Sequence, residues 1–445
     1  MSNLTPFWLK LMPNFVRLRL EHRSNLLSIL HNFGWLLADK IIRISVGLFV
    51  TLWIARYLGV EQFGLWNYSI AFASLFSAFS SLGLDGIVVR ELVKHPGRQK
   101  VLLGSAFLLK LMGGGIALLI SLLAIWMLHE DEITTIWLVA LSSVGFLFQS
   151  VNVIDFYFQS KLKSKFTIYA SNAAFVLMSF VKVLLIMNTA PLIAFAWAGL
   201  FELALTAIFL IIAYKANNHR INEWRYQKRI ILDLLYQSWP LFLAALTVTL
   251  YMKIDMIMLK EMSNDWNVGI YSAATKFSEV WYFLPIIIVA SVSPSIIKYH
   301  STNSDLYLKK LSKLYFFMAW LAIGLSLPLS LFSDQIMRFF LGEQFVDAAP
   351  ILALHLWASL AVFLGVASSQ YLVAENLQKI SFYRTLIGLI FNILLNIMLI
   401  PKLGAMGAAL ATVISYFIAT FSIIFFKVTR QHGFVLLKAP LLKIN

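Results

Sequence analysis

The chain has 445 residues, of which 60% are hydrophobic and 13% are charged, and it contains no cysteine. An ordinary soluble protein has about 45–50% apolar and about 25% charged residues, so there are too few charges here to cover soluble domains. The same figures exclude intrinsic disorder, and the missing cysteines exclude disulfide frameworks and cysteine-based zinc sites. The composition therefore indicates a protein whose solvent is lipid.

Apolar stretches long enough to cross a bilayer recur along the whole chain. A spanning helix needs about 20 mostly apolar residues, and these runs lack the alternation expected of barrel strands. We therefore predict an all-α integral membrane protein. Its twelve spans are placed at residues 31–57, 62–83, 101–128, 133–154, 166–187, 191–214, 231–260, 268–297, 312–332, 349–373, 380–400 and 404–427.

Lysine and arginine concentrate at every second connection between these spans, as the positive-inside rule expects of cytoplasmic loops. With the N-terminus inside, the inner connections hold most of the 36 basic residues, including Lys379 and Arg384, while the outer ones hold Lys260, Arg338 and Lys402. Both termini are therefore expected in the cytoplasm. Residues 1–30 are expected to form an interfacial segment and residues 428–445 a tail. Because the charges are scattered loop by loop, the net charge of +15 predicts contact with membrane lipids and no nucleic-acid partner.

The two halves of the chain echo each other. Gly64 follows the first span and Gly269 follows the seventh, which is a separation of 205 positions (269 − 64). Six spans per half bring both halves into the membrane from the same side, as in transporters built from parallel repeats. We predict two pseudo-repeated six-helix lobes, residues 31–214 and 231–427, joined by a cytoplasmic linker at 215–230 and enclosing a central cavity.

Ionisable residues inside spans are costly and usually face the protein interior, so they mark candidate functional positions. The first span contains Asp39, Lys40 and Arg43. Asp39 and Arg43 are four positions apart and can pair along one helix face, which would leave Lys40 as free positive charge facing the cavity. The alternative interpretation is a self-neutralised pair that only orients the helix.

Five more ionisable residues lie at membrane depth in later spans. Glu202 lies near the middle of the sixth span, and Lys253 and Asp255 lie in the seventh on different faces. Lys276 and Glu279 are three apart in the eighth span, which predicts a same-face pair. Asp39, Glu202, Asp255 and Glu279 are each candidates to carry a coupling proton or cation, with neutral pairing as the alternative.

Two lysines, Lys110 and Lys182, lie closer to span ends, and we expect their long side chains to reach the interface. Counting them, lysine and arginine outnumber carboxylates within the spans, which favours an anionic substrate. The sequence contains no phosphate-binding glycine loop, metal-ligand spacing of histidines or triad order. We therefore expect neither an enzyme nor a resident metal or cofactor.

Several short segments together resemble a known family. They are residues 54–64 (IARYLGVEQFG), 81–85 (SLGLD), 89–91 (VRE), 254–259 (IDMIML), 268–271 (VGIY) and 403–412 (LGAMGAALAT). These segments resemble those of the Wzx-type lipid-linked oligosaccharide flippases, which belong to the multidrug/oligosaccharidyl-lipid/polysaccharide exporter superfamily. The resemblance spans most of the chain, but the extension before residue 30 is not part of it.

The resemblance implies a flippase that moves an undecaprenyl-pyrophosphate-linked glycan from the cytoplasmic to the outer leaflet of the bacterial inner membrane. A polysaccharide polymerase and a chain-length regulator would be its partners. Lys40, Arg43, Lys253 and Lys276 are the candidates to neutralise the pyrophosphate, with the first two expected to matter most. The alternatives are a multidrug exporter of the same superfamily, a lipid-linked peptidoglycan precursor flippase and a non-transporting scaffold.

Overall fold

The structure, a computed structural model, describes residues 24–302 and 304–441, and the regular structure of these residues is helical. Helices suit lipid because each satisfies its own backbone donors and acceptors. The all-α prediction is confirmed. In chain order the helices are α1 (Ser24–Leu75), α2 (Ser77–Ser81), α3 (Asp85–Lys94), α4 (Gln99–Leu128), α5 (Ile133–Phe148), α6 (Val153–Ser160), α7 (Lys165–Met187), α8 (Leu192–Ala216), α9 (Lys228–Met262), α10 (Asp265–Glu279), α11 (Phe283–Thr302), α12 (Ser304–Leu331), α13 (Ser333–Leu341), α14 (Ala348–His355), α15 (Ala358–Ala374), α16 (Gln378–Leu403), α17 (Ala405–Phe421) and α18 (Arg430–Leu437).

Short 3₁₀ helices connect or extend several of these elements. Three of them continue a membrane pass, so that α5 and α6 form one pass, α10 and α11 form another, and α17 is lengthened at its end. The 3₁₀ helices are Pro96–Arg98, Gln149–Asn152, Ile221–Glu223, Val280–Tyr282, Glu343–Phe345, Ser422–Phe425 and Ala439–Leu441.

α1 is broken at Gly59, whose φ of 80° and ψ of 173° lie outside the helical region. Glycine adopts a positive φ readily because it has no Cβ. Before the break, Arg43 donates to Asn172 near the start of α7. Tyr57 donates to the carbonyl oxygen of Ala190, just past the end of α7. The first part of α1 therefore runs parallel to α7.

After Gly59 the chain turns back. The hydroxyl of Tyr68 lies 3.1 Å from Nε2 of His129, just past the end of α4, whereas Gly113 inside α4 packs on the carbonyl of Phe79. Residues 60–81 thus run antiparallel to α4. Since α4 and α7 are separated by one return pass, they run in the same direction, and α1 must make two passes.

Eleven continuous helical segments of the described residues are long and apolar enough to cross a membrane. The first of them contains the reversal at Gly59, so the described residues make twelve passes, the number predicted. The segments are Arg43–Leu75, Pro96–Leu128, Ile133–Ser160, Lys165–Met187, Leu192–Ala216, Lys228–Met262, Asp265–Ser293, Asp305–Leu331, Ala348–Ala374, Gln378–Leu403 and Ala405–Phe425.

The alternating passes give the molecule two ends. The Gly59 end carries the connections at residue 59 and at 129–132, 188–191, 263–264, 342–347 and 404. The basic end carries the connections at 95–98, 161–164, 217–227, 375–377 and 426–429. The basic end is the one that the lysine and arginine pattern predicts to face the cytoplasm, and this orientation stays a prediction. The interfacial segment predicted at residues 1–30 lies almost wholly outside the described residues.

The largest hydrophobic core joins the two halves of the chain. It includes Phe63 and Tyr68 from the first half with Val268, Tyr271 and Phe345 from the second. Further cores lie within one half each, except that the core around α3, α4 and α6 also takes Leu234 from the start of α9. α9 is therefore packed on the first half where it begins and on the second half where it ends.

Gly64 and Gly269, the two glycines of the sequence echo, face each other across this core. A Cβ on Gly64 would lie 2.0 Å from the carbonyl oxygen of Asp265, and one on Gly269 would lie 2.1 Å from that of Val60. Val60 and Asp265 are themselves 205 positions apart (265 − 60), so the contact is close to two-fold symmetric. Only glycine permits this backbone-to-backbone approach.

The last helix, α18, is held by a buried histidine. The ring of His432 stacks on that of Tyr371, with the centroids 3.5 Å apart and the planes 6° apart. Its Nε2 lies 2.8 Å from the hydroxyl of Tyr315. Burial lowers the pKa of His432 to about 3, so the neutral ring is the form that anchors the helix.

Candidate functional site: buried charges and cavities

Arg43 is held against α7 within the first half. Its Nε donates to Oδ1 of Asn172 at 2.7 Å, and its guanidinium carbon lies 5.3 Å from the ring centroid of Phe175. Gly47, one turn later on α1, leaves room for that ring, which would lie 3.6 Å from a Cβ there. The side chains of Asp39 and Lys40 lie outside the described residues, so their predicted pairing and cavity-facing role stay predictions.

Lys253, Lys276 and Glu279 form a charge trio on α9 and α10. Their charges interact with one another electrostatically. Yet within residues 24–302 and 304–441 none of the three forms an ion pair, so the predicted direct pairing of Lys276 with Glu279 is wrong. Two lysines and one glutamate give this trio a formal charge of +1 at membrane depth.

Asp255 lies almost fully buried, at 3% exposure, among uncharged polar groups. Its Oδ1 accepts from Nδ2 of Asn396 at 2.6 Å. Its Oδ2 accepts from Thr412 at 2.7 Å and from Tyr271 at 3.1 Å. The side-chain oxygen of Asn392 lies 3.2 Å from the same Asn396 nitrogen. These five residues come from four helices, and we call them the Asp255 cluster.

The Asp255 cluster has the composition of a site for a proton or a small hard cation. In the described part of the chain no lysine or arginine pairs with Asp255, and the side-chain oxygen of Asn396 is buried without a hydrogen-bond partner. A buried carboxylate needs compensation, and carboxylate, amide and hydroxyl oxygens are the ligands that hard cations take. Sequence reasoning named Asp255 but missed Asn392, Asn396 and Thr412, because it searched the spans for charge alone.

Glu202 is already paired. Its Oε2 lies 2.7 Å from Nζ of Lys182, which borders a cavity of about 350 Å³ within the first half. Lys110 is likewise buried, at 4% exposure, with Nζ 3.8 Å from Asp85 and 5.3 Å from the ring centroid of Phe156. The expectation that Lys110 and Lys182 reach the interface is therefore wrong. Lys182 pairs with Glu202 on the next helix, and the side chain of Lys110 is itself buried, although its partner Asp85 is exposed.

Arg384 is a further residue that sequence reasoning misplaced. We expected it among the cytoplasmic loop charges, but it lies two turns inside α16. It donates to the hydroxyls of Ser368 at 2.7 Å and Ser369 at 2.9 Å, and to the carbonyl of Gly365 at 3.2 Å. The predicted span 380–400 already contained position 384, so the sequence did offer a sign that Arg384 lies within the membrane rather than in a loop.

Polar contacts close the Gly59 end between the two halves. Glu261 accepts from the hydroxyl of Tyr68 at 2.7 Å and lies 2.9 Å from Nε2 of His129. Lys260 lies 3.2 Å from Glu132 and 2.8 Å from Asp265. Partial burial opposes ionisation of Glu132, but the hydrogen bond from Thr135 and the charge of Lys260 together lower its pKa. At this end the halves are therefore in direct contact.

The arrangement of the helices is the fold of solved transporters and flippases of the multidrug/oligosaccharidyl-lipid/polysaccharide exporter type. A structure described as an inward-facing multidrug transporter of the MATE family matches with a TM-score of 0.71 and 14% identity, over 89% of this chain and 95% of that one. The lipid II flippase MurJ, in an inward closed conformation, matches with a TM-score of 0.69 and 18% identity, over 93% and 90%. At these identities the likeness shows the fold.

The family follows from the sequence comparisons. The model of the polysaccharide biosynthesis protein family matches residues 29–299, and the chain belongs to that family. A MatE family model also matches residues 240–398. The capsular polysaccharide biosynthesis protein CapF of Staphylococcus aureus is 22% identical over 89% of this chain and 98% of its own length. The probable low-salt glycan biosynthesis flippase Agl15 of Haloferax volcanii is 23% identical over 38% of this chain and 36% of its own length.

Proposed function

We propose that this protein flips an undecaprenyl-pyrophosphate-linked oligosaccharide repeat unit from the cytoplasmic to the outer leaflet of the bacterial inner membrane, for surface polysaccharide synthesis. Membership of the polysaccharide biosynthesis family and the full-length similarity to CapF support a lipid-linked glycan as the substrate. The observation that carries the proposal is the net positive trio of Lys253, Lys276 and Glu279, which has no ion pair among the described residues. Pyrophosphate is the anionic group that such a trio can neutralise.

Alternating access is the proposed mechanism, with lobes at residues 31–214 and 231–427. Direct contact between the halves is built at the Gly59 end, through Gly64, Gly269 and Glu261. The positive-inside rule assigns the basic end and both termini to the cytoplasm. The contacts at the Gly59 end would then close the outer side while the cytoplasmic side receives substrate. A polysaccharide polymerase and a chain-length regulator are the proposed partners, and the chain itself performs transport rather than catalysis.

The Asp255 cluster is the proposed coupling site. A carboxylate that lies at membrane depth with neutral oxygens around it can exchange a proton or a cation as the lobes rock. Glu202 is less suited to this role because Lys182 already neutralises it. Arg43, and Lys40 beside it in sequence, remain candidates for contacts with the pyrophosphate on the first half.

A multidrug exporter is the second candidate, favoured by the MatE match over residues 240–398 and by the buried Asp255. It would expel small cations, and such substrates need acidic rather than basic groups in the transport path. The charge trio has the opposite sign. A peptidoglycan precursor flippase is a third candidate. The similarity to MurJ supports it only through the shared fold.

The proposal is tested in a strain from which the gene is deleted, by restoring it with variants. The double substitution Lys253→Gln and Lys276→Gln is expected to lower surface polysaccharide, since each lost charge-assisted contact weakens binding about tenfold. Arg43→Gln is expected to act in the same direction. Lys309→Gln, an exposed lysine at the basic end, is the matched control and should restore polysaccharide fully.

Polysaccharide output, protein level in the membrane and drug susceptibility are measured together. Unchanged polysaccharide in the double variant, at normal protein level, would overturn the assignment of the trio. Unchanged polysaccharide in the deletion strain, combined with increased drug sensitivity, would overturn the flippase proposal in favour of the multidrug exporter.

A further inference from the structure

Arg384 is a cation without a counter-ion inside the second half. Its Nη1 donates to Ser368, and its Nη2 donates to both Ser369 and Gly365. Among the residues that the structure describes, no carboxylate lies within 4.0 Å of its guanidinium nitrogens. A buried charge without a partner is costly, so a group that balances it is expected nearby.

Beside Arg384 lies a cavity of about 350 Å³ with further unused donors. Tyr251 of α9 and Tyr282 of the 3₁₀ helix before α11 both line it, and both hydroxyl oxygens are buried without a hydrogen-bond partner. The hydroxyl of Tyr251 would lie 3.0 Å from a Cβ on Gly388, which is one helical turn after Arg384 on the same face of α16. The arginine and the hydroxyl are thus neighbours.

The lining of this cavity offers donors and no anionic acceptor. No aspartate or glutamate lines it, and the hydroxyls of Thr385 and Thr420 already donate to backbone carbonyls of Ser381 and Ala361. The ligand that completes such a site must accept hydrogen bonds and carry negative charge. Water would satisfy the tyrosine hydroxyls but would leave the charge of Arg384 unbalanced.

The geometry favours a phosphate over a carboxylate. The fork with which arginine grips a planar carboxylate needs two parallel N–H groups, and Nη2 is already committed to Gly365 and Ser369. The remaining donors come from α9, α16 and the 3₁₀ helix at Val280–Tyr282, so they approach the cavity from separate directions. A tetrahedral group accepts hydrogen bonds from such separate directions.

We infer that the cavity formed by Arg384, Tyr251 and Tyr282 binds a phosphate or diphosphate group within the second half of the chain. This site is distinct from the charge trio, and its binding does not depend on the translocation proposed above. The phosphate group could belong to a lipid-linked diphosphate, to a membrane phospholipid or to a free phosphate, because all three share the chemistry that the cavity recognises.

The test uses the purified full chain in detergent, with thermal unfolding followed by the fluorescence of its 13 tryptophans. The ligands are farnesyl diphosphate, inorganic pyrophosphate, phosphatidylglycerol in mixed micelles, and farnesoic acid as a carboxylate of similar length. A ligand that binds the folded state raises Tm in a saturable manner. We expect such a rise with at least one phosphate ligand and none with farnesoic acid.

Three variants assign the binding to this cavity. Arg384→Gln should weaken it about tenfold to a hundredfold, as expected for loss of a charge-assisted hydrogen bond. Tyr251→Phe and Tyr282→Phe should each weaken it about threefold to tenfold and, because the hydroxyls have no partner, should leave the Tm of the unliganded protein unchanged or higher. Arg430→Gln, at an exposed arginine of the basic end, should bind as the wild type does.

The outcomes separate the sources and the alternatives. A response to farnesyl diphosphate alone identifies a lipid-linked diphosphate as the ligand, and a response to phosphatidylglycerol alone identifies a bilayer lipid. A response that also occurs with pyrophosphate identifies a free phosphate. No saturable response, an equal response to farnesoic acid, or a response that survives both Tyr→Phe substitutions would overturn the inference. If Arg384→Gln fails to fold, the tyrosine variants still decide.

Discussion

The contact between Gly64 and Gly269 makes a sharp prediction about closure at the Gly59 end. In Gly269→Ala the added Cβ would lie 2.1 Å from the carbonyl oxygen of Val60, whereas real Cβ contacts are essentially never under 3.0 Å. The opposing atom belongs to the backbone, so no change of side-chain rotamer can relieve the clash. The two helices must therefore separate by at least 0.9 Å (3.0 − 2.1) at their closest point.

Overpacking of this kind costs about 1–3 kcal/mol. The cost applies only while the halves touch at the Gly59 end, so the equilibrium should shift toward separated halves by about fivefold to 150-fold. Gly64→Ala should act likewise, since its Cβ would lie 2.0 Å from the carbonyl of Asp265. Gly115→Ala is the matched control, because a Cβ there has nothing within 4 Å. It also corrects for the general effect of placing alanine in a helix.

The missing cysteines provide the assay. A single Ala71→Cys, at a position 2% exposed in the core between the halves, is the sole thiol of the protein. Its rate of labelling by a membrane-impermeant maleimide reports how often the Gly59 end opens. We expect Gly269→Ala and Gly64→Ala to accelerate labelling and Gly115→Ala to leave it unchanged. Equal labelling in all four backgrounds would refute the reasoning that this glycine contact holds the halves closed.

Two further predictions concern buried titratable groups. Asp255→Asn should abolish the dependence of substrate flipping in proteoliposomes on an imposed ion gradient; wild-type flipping that ignores both the proton gradient and the membrane potential would refute a coupling role. His432 has a pKa lowered to about 3 by burial, so the docking of α18 should be strongest above pH 6.5 and weaken as the pH falls from 6.5 toward 3. Limited proteolysis of the tail should therefore be about 20-fold faster at pH 5 than at pH 7 in the wild type. In His432→Phe this dependence on pH should be absent, and a persisting dependence would point to another group.

The sequence allowed the fold to be predicted because lipid imposes simple rules on composition. Apolar runs separated by charge and glycine placed all twelve passes, including the reversal at Gly59 inside what is otherwise a continuous helix. The echo of Gly64 and Gly269 was also informative, since the two positions that repeat are the two that touch. The passes depend on the length and polarity of local segments, and the echo is a repeat of short motifs, so both can be read from the sequence without knowledge of side-chain packing.

The candidate site was harder to predict because its partners are distant and often uncharged. Asp255 is held by Asn396 and Thr412, which lie 141 and 157 positions away, and a search for charges does not find them. Spacing along one helix predicted an ion pair that does not form and did not predict one that does. Lys276 and Glu279 share a face but form no ion pair, whereas Lys182 reaches Glu202 on the next helix. Periodicity states which residues share a face and leaves their contacts open.

α9 connects the three polar groups of the second half over a very short stretch of chain. Three residues at every second position of this helix belong to the three groups. Tyr251 lines the Arg384 cavity, Lys253 belongs to the charge trio, and Asp255 is the centre of the Asp255 cluster. The same helix is packed on the first half where it begins, with Gly83 against Leu241. Any movement of the halves that tilts α9 against its neighbours α10 and α16 must therefore change the surroundings of all three groups at once. Coupling between ion binding and an anionic substrate would then need no long pathway, because the two sites are two residues apart on one rigid helix.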